Sequence, residues 1–178
     1  MLTYPPRIEP STPKRLFIVC PFSQLETFLS ARFGETSYFL TAAGSVLFLE
    51  PIKFTNALED FLIREAIEEI AVVNEWSSVF IRNALNEELE PVIETAQILH
   101  KTYLQHREDI LSDNTFENRC RQLAFLNSRR QLSELLKNVS IGKIIQSKNI
   151  QLKCLVVHRR QNEILITEFN KMAASNES

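Results

Sequence analysis

Cys20 closes the run Arg15-Leu16-Phe17-Ile18-Val19-Cys20-Pro21-Phe22-Ser23-Gln24, and it is the residue best placed to do chemistry. Leu16 to Val19 are four apolar residues in succession, the pattern of a strand buried on both faces. Pro21 cannot donate to a sheet ladder, so the strand must end at Cys20. A thiol at the C-terminal edge of a parallel sheet sits where open α/β sheets keep their ligands. It can serve there as a metal ligand, a nucleophile or a buried small hydrophobe. A nucleophile needs a neighbouring base, and the sequence places no histidine near the strand ends. Glu75 reads as a turn carboxylate, solvated or bonded to a helix N-terminus. Trp76, in the same turn, reads as packing or interface.

The other candidates are weaker. His100 and His106 stand six apart on a predicted helix, so they share no face as an i, i+4 metal pair would and read as surface histidines. His158-Arg159-Arg160 reads as a solvated hairpin tip. Arg119, Arg121, Arg129 and Arg130 have Asp113, Glu117 and Glu134 as neighbours, which points to a salt-bridged helix surface rather than an anion site.

The elements that must position Cys20 alternate. After the first strand, 15–20, Leu25, Phe28, Leu29 and Phe33 recur at helical spacing, with Gly34 as the stop. A second strand covers 37–41, followed by Ala42-Ala43-Gly44-Ser45 and an apolar patch from Val46 to Leu49. Thr55 or Asn56 is expected to cap a helix with Glu59 and Asp60 in its first turn. Residues 69–73 form a third strand, and Val79, Ile81, Ala84 and Leu85 mark a short helix. One longer helix is predicted over 87–111, interrupted early by Pro91, and an amphipathic helix over 116–136 started by Thr115. Ile141 to Ile145 is a helical turn, and 152–157 and 163–167 are two strands joined by a polar turn. This order predicts an α/β fold: a mainly parallel sheet flanked by helices, with an antiparallel C-terminal edge hairpin.

Length and composition bound the function. The chain has 178 residues, 44% hydrophobic and 24% charged, suited to one domain with a real core. Residues 15–169 are expected to form it, between a Pro-rich N-terminal arm over 1–14 and a disordered tail over 170–178. A net charge of −2 offers no electrostatic case for nucleic acid or an anionic membrane. No apolar run reaches the roughly 18 residues of a spanning helix, and the proline-rich arm does not read as a secretory signal. Three cysteines far apart suggest no disulfide framework, so a reducing cytoplasm is expected. Three glycines in all leave no Gly-rich phosphate loop.

The order of elements and several windows resemble the β-class carbonic anhydrases over roughly residues 15–169. The family's first metal strand ends in Cys-x-Asp-x-Arg, and the matching window is Cys20-Pro21-Phe22-Ser23-Gln24. Its Arg-Asn-Ala-Gly-Asn segment is matched by Thr41-Ala42-Ala43-Gly44-Ser45, and its Gly-His-x-x-Cys-Gly by Asn74-Glu75-Trp76-Ser77-Ser78-Val79. Its C-terminal pattern of Asn, a basic residue and Gln before a Leu pair is matched by Asn127 to Leu132.

The resemblance implies a zinc held by Cys, His and Cys, with water or the Asp carboxylate in the fourth position. Carried over residue by residue, only Cys20 survives; Glu75 stands at the His position and Ser78 at the second Cys. The Asp–Arg pair becomes Phe22 and Gln24, which form no carboxylate–guanidinium bridge. Serine is a poor zinc ligand, and one thiolate with one carboxylate falls short of three protein ligands. Without a metal the attacking water keeps its bulk acidity. The expectation is a carbonic-anhydrase-like protein without cofactor or hydration activity, acting as a binding or scaffold module for an unknown small ligand or protein partner. The alternative is an enzyme, a divergent zinc-dependent carbonic anhydrase that assembles its metal from Cys20, Glu75 and a residue elsewhere. By the same resemblance the chain associates as a homodimer or higher homo-oligomer.

Overall fold

The computed structural model describes residues 12–169, so most of the expected arm and the whole expected tail lie outside the described residues. Five strands form one sheet in the order β2-β1-β3-β4-β5. They are β1 (Arg15–Val19), β2 (Ser37–Thr41), β3 (Glu69–Glu75), β4 (Gln151–His158) and β5 (Glu163–Glu168). The first four are mutually parallel, and β5 returns antiparallel along β4. The predicted architecture is therefore the observed one.

Alternation in the strands divides two cores. Leu16, Ile18, Ile70, Val72, Leu152 and Cys154 face one side of the sheet. There they meet Leu58 and Leu62 of α2 (Ile52–Arg64), Leu132 and Leu135 of α6 (Phe116–Lys137), and Ile141 and Ile145 of α7 (Val139–Ser147). Phe17, Val19, Ala71, Val73, Leu155 and Val157 face the other, against Leu25 just ahead of α1 (Glu26–Phe33) and Leu29 within it. Burial of both faces is why β1 and β3 read as unbroken apolar runs. A third core gathers Trp76, Ile81, Leu99, Tyr103, Ile110 and Leu123 among α3 (Val79–Ala84), α4 (Glu94–Gln105), α5 (Arg107–Leu111) and α6.

Several boundaries differ from expectation, each for a local reason. Helix α2 begins at Ile52, with the carbonyl of Pro51 accepting from the amides of Phe54 and Thr55. Thr55 does not cap it; its hydroxyl is turned back to donate to the Leu49 carbonyl at 2.8 Å. Glu59 and Asp60 consequently fall mid-helix. The single helix over 87–111 is two, because Pro91 disfavours helix at the residue before it and α4 starts only at Glu94. His106, at φ −119° and ψ 22°, then breaks α4 from α5. Strand β3 runs two residues further than predicted, since β4 supplies partners as far as Glu75 opposite Val157. Thr115 caps α6 as expected, its hydroxyl accepting from the Asn118 amide.

The connections fix where a ligand can sit. From β1 the chain passes outward through α1 to β2, then crosses back over β1 to β3, and from β3 it leaves in the opposite direction to β4. The C-terminal ends of β1 and β3 thus diverge at a topological switch point, the place where open α/β sheets form their crevice.

Candidate functional site at the switch point

A cavity of about 450 Å³ lies there. Phe22, Ser23, Glu75, Ser78 and Phe80 line it together with Arg82, His158, Arg159 and Arg160. The turn Pro21–Ser23 that follows β1 brings Phe22 and Ser23, the end of β3 brings Glu75, and the β4–β5 hairpin brings His158 to Arg160.

The positions singled out in the sequence do not form one cluster of donors. Glu75 and Ser78 share the cavity, with Phe22 at its mouth, 72% exposed and its ring 5.8 Å from that of Phe80. Gln24 stands in the left-handed region at φ 50°, and its carbonyl accepts from Arg159 Nη1 at 3.1 Å. Cys20 is a free thiol, 3% exposed, and is not among the lining residues. Its Sγ accepts the Gly44 amide at 3.2 Å. Ser78 caps α3, its hydroxyl accepting the Ile81 amide at 3.3 Å.

Glu75 corrects the expectation of a solvated or helix-capping turn carboxylate. It is the last residue of β3, 9% exposed, and its carboxylate has no hydrogen-bond or ion-pair partner among the described residues. Ser23, 4% exposed, has a hydroxyl equally without a partner. The rim is cationic. Arg82, Arg159 and Arg160 are exposed and pair with no carboxylate among the described residues. His158 corrects two readings, for it is half-buried rather than solvated and stands at the strand end where no histidine was expected. Its ring lies 4.8 Å from Trp76, and its Nδ1 accepts the Gln161 amide. His100 and His106 are half-buried as well, His100 Nδ1 lying 2.9 Å from the Ala84 carbonyl.

Sequence reasoning missed the polar network beneath the cavity. Asn127 is fully buried on α6; its Nδ2 donates to the Gly44 carbonyl and to Asn74 Oδ1, both at 3.0 Å. Asn74 Nδ2 donates to the Ser128 hydroxyl, and Gln131 Nε2 donates to Asn127 Oδ1 while its Oε1 accepts the Leu47 amide. The legible signal was a run of polar residues, Asn127, Ser128 and Gln131, on a helix face otherwise apolar. Of the four arginines read as a salt-bridged surface, Arg121 pairs with Glu117 and Glu163 and lies 4.2 Å over Trp76. Arg119 bonds the Asp113 carbonyl, and Arg130 the Thr102 hydroxyl on α4.

No protein-family model and no curated protein matches the sequence. Solved structures do match. The β-carbonic anhydrase CafA of Aspergillus fumigatus superposes with a TM-score of 0.74 at 15% identity, over 92% of this chain and 79% of that one. The fold is that of the β-carbonic anhydrases. A second A. fumigatus enzyme of this class, CafD, gives 0.72 at 17% identity over 93% of this chain and 94% of its own. A tetrameric β-carbonic anhydrase of Sordaria macrospora gives 0.73 at 14% identity over 87% and 80%. At such identities the β-carbonic-anhydrase likeness is one of fold. No group of three or more His, Cys, Asp and Glu side chains among the described residues could hold a metal ion.

Proposed function

We propose that this chain is a non-catalytic protein on a β-carbonic-anhydrase fold, and that its switch-point cleft has become a binding site. The observation that carries the reading is the chemistry at Cys20, Glu75 and Ser78, the positions matching the family's zinc ligands. The Cys20 sulfur is engaged by the Gly44 amide beneath the wall, and the Ser78 hydroxyl is engaged as a helix cap. Of the three, the Glu75 carboxylate alone lines the cleft with no hydrogen-bond or ion-pair partner among the described residues. A lone carboxylate does not fit zinc, which takes three or four Cys, His or carboxylate ligands in tetrahedral array. Phe22 and Gln24 supply no acid–base pair to orient a nucleophile. These residues therefore supply no route to CO2 hydration.

The deciding experiment is metal analysis of the purified full chain beside a CO2-hydration assay. The reading expects no stoichiometric zinc and no hydration above buffer. About one zinc per chain, with activity lost in Cys20→Ser, would overturn it in favour of the divergent enzyme. A homo-oligomer is part of the proposal. β5 is an edge strand with Leu165 and Ile166 each 51% exposed, a surface that soluble chains usually cover, and the S. macrospora structures are described as tetrameric.

A further inference from the structure

The cleft holds charge of both signs that forms no ion pair among the described residues. Ser23 has a buried hydroxyl with no hydrogen-bond partner, and the Glu75 carboxylate, which opens onto the same cavity, has no hydrogen-bond or ion-pair partner among the described residues. A buried polar group without a partner is costly, and such a group in a native cleft points to a ligand atom that completes it. At the mouth, Arg82, Arg159 and Arg160 pair with no carboxylate among the described residues, though Arg82 lies over the Phe116 ring and Arg159 donates to the Gln24 carbonyl. A simple anion drawn in by the rim would meet the Glu75 carboxylate, while a simple cation would have to pass three guanidiniums. A divalent metal finds too few oxygens in Glu75 and Ser23 to replace its hydration shell.

We propose, building on the reading of the cleft as a binding site, that it takes a small zwitterion: a molecule with a primary ammonium and an oxyanion, such as an α-amino acid or an aminoalkyl phosphate. The ammonium donates to the Glu75 carboxylate and the Ser23 hydroxyl, in charge-assisted bonds sheltered from water. The oxyanion lies outward on the arginines, whose planar forks suit carboxylate and phosphate alike. Phe22 and Phe80 offer an apolar wall beside them, and a volume of about 450 Å³ is ample for molecules of this size.

Calorimetric titration of the full-length chain with the twenty standard amino acids, phosphoethanolamine and phosphocholine tests this. At least one primary-ammonium zwitterion is expected to bind. Its two matched analogues, one lacking the ammonium and one lacking the oxyanion, are expected to bind about tenfold more weakly or worse. Amino acids binding with phosphoethanolamine silent assigns a carboxylate ligand; the reverse assigns a phosphate. Glu75→Gln should weaken the zwitterion about tenfold and leave the ammonium-free analogue unchanged. Arg160→Gln, at an exposed position in the β4–β5 hairpin, should weaken both. The zwitterion is overturned if no amine in the panel binds, if the ammonium-free analogue binds as well as its parent, or if phosphocholine, whose ammonium cannot donate, matches phosphoethanolamine. Zinc with hydration activity in the same preparation would instead overturn the non-catalytic reading, whereas metal-free, inactive protein that binds nothing in the panel sinks only the zwitterion.

Discussion

Among the described carboxylates, Glu87 is held furthest below its ordinary pKa. Its carboxylate accepts from Arg107 Nε at 2.7 Å and from the buried Tyr103 hydroxyl at 2.5 Å. The Arg107 bond first, then that of Tyr103, lowers its pKa from 4.5 to about 2. A depressed carboxylate stabilises the fold at pH values above its unfolded pKa, and loses that contribution as pH falls through the folded one. Glu87→Gln should therefore unfold more easily than the parent at pH 7, and the difference should shrink between pH 4.5 and about 2, as read by urea melts across that window. Burial has the opposite effect on two thiols, raising Cys120 to about 11 and Cys154 to about 12. Neither should react with a disulfide reagent in the native protein at pH 8, and both should do so promptly in denaturant, because the thiolate is the reacting form.

At the level of elements, the join that matters runs between α6, the end of β3 and the segment 42–47. Asn127 satisfies the Gly44 carbonyl, Asn74 and Gln131 at once, all inside the core. Asn127→Leu would strand those three groups without water and should cost about 2–4 kcal/mol in chemical denaturation, more than an exposed polar deletion. Gly44 itself sits at φ +58°, and a Cβ there would stand 2.9 Å from Thr95 Cγ2 and 3.0 Å from Leu99 Cδ1. Gly44→Ala should lose about 1–3 kcal/mol through left-handed strain and crowding against α4. It should also loosen the amide that holds Cys20, which faster alkylation of that thiol would report.

For the molecule as a whole, the sheet ends differently on its two sides. The outer β2 is partly buried along most of its length, while β5 presents Glu163, Leu165, Ile166, Thr167 and Glu168 to solvent. If β5 is an association surface, Leu165→Lys should lower the mass seen by light scattering and leave the monomer folded. An unchanged mass would place any association elsewhere. Across the strand starts, Glu69 is buried between Arg15 at 3.3 Å and Lys153 at 2.6 Å, a triad that locks β1, β3 and β4 in register. Three partners spread over 138 residues of sequence meet only because the strands are parallel and aligned.

The architecture is legible in the amino-acid order, because strands buried on both faces must be apolar throughout and β1 and β3 announce this in consecutive residues. So are the helices whose faces are regular, and the cap at Thr115. The same order could not place Ile52 as the start of α2, where a Pro51 carbonyl and a Thr55 side chain turned inward override the usual capping preference. Nor could it judge the site. Cys20, Glu75 and Ser78 were visible as residue types, but their roles depend on which way each side chain points and what it meets there. Tertiary packing alone turned Cys20 toward Gly44, carried β3 far enough to bury Glu75, and brought His158 and two arginines from the far end of the chain over it. Charge that looks solvated in one dimension gathers around a cavity in three.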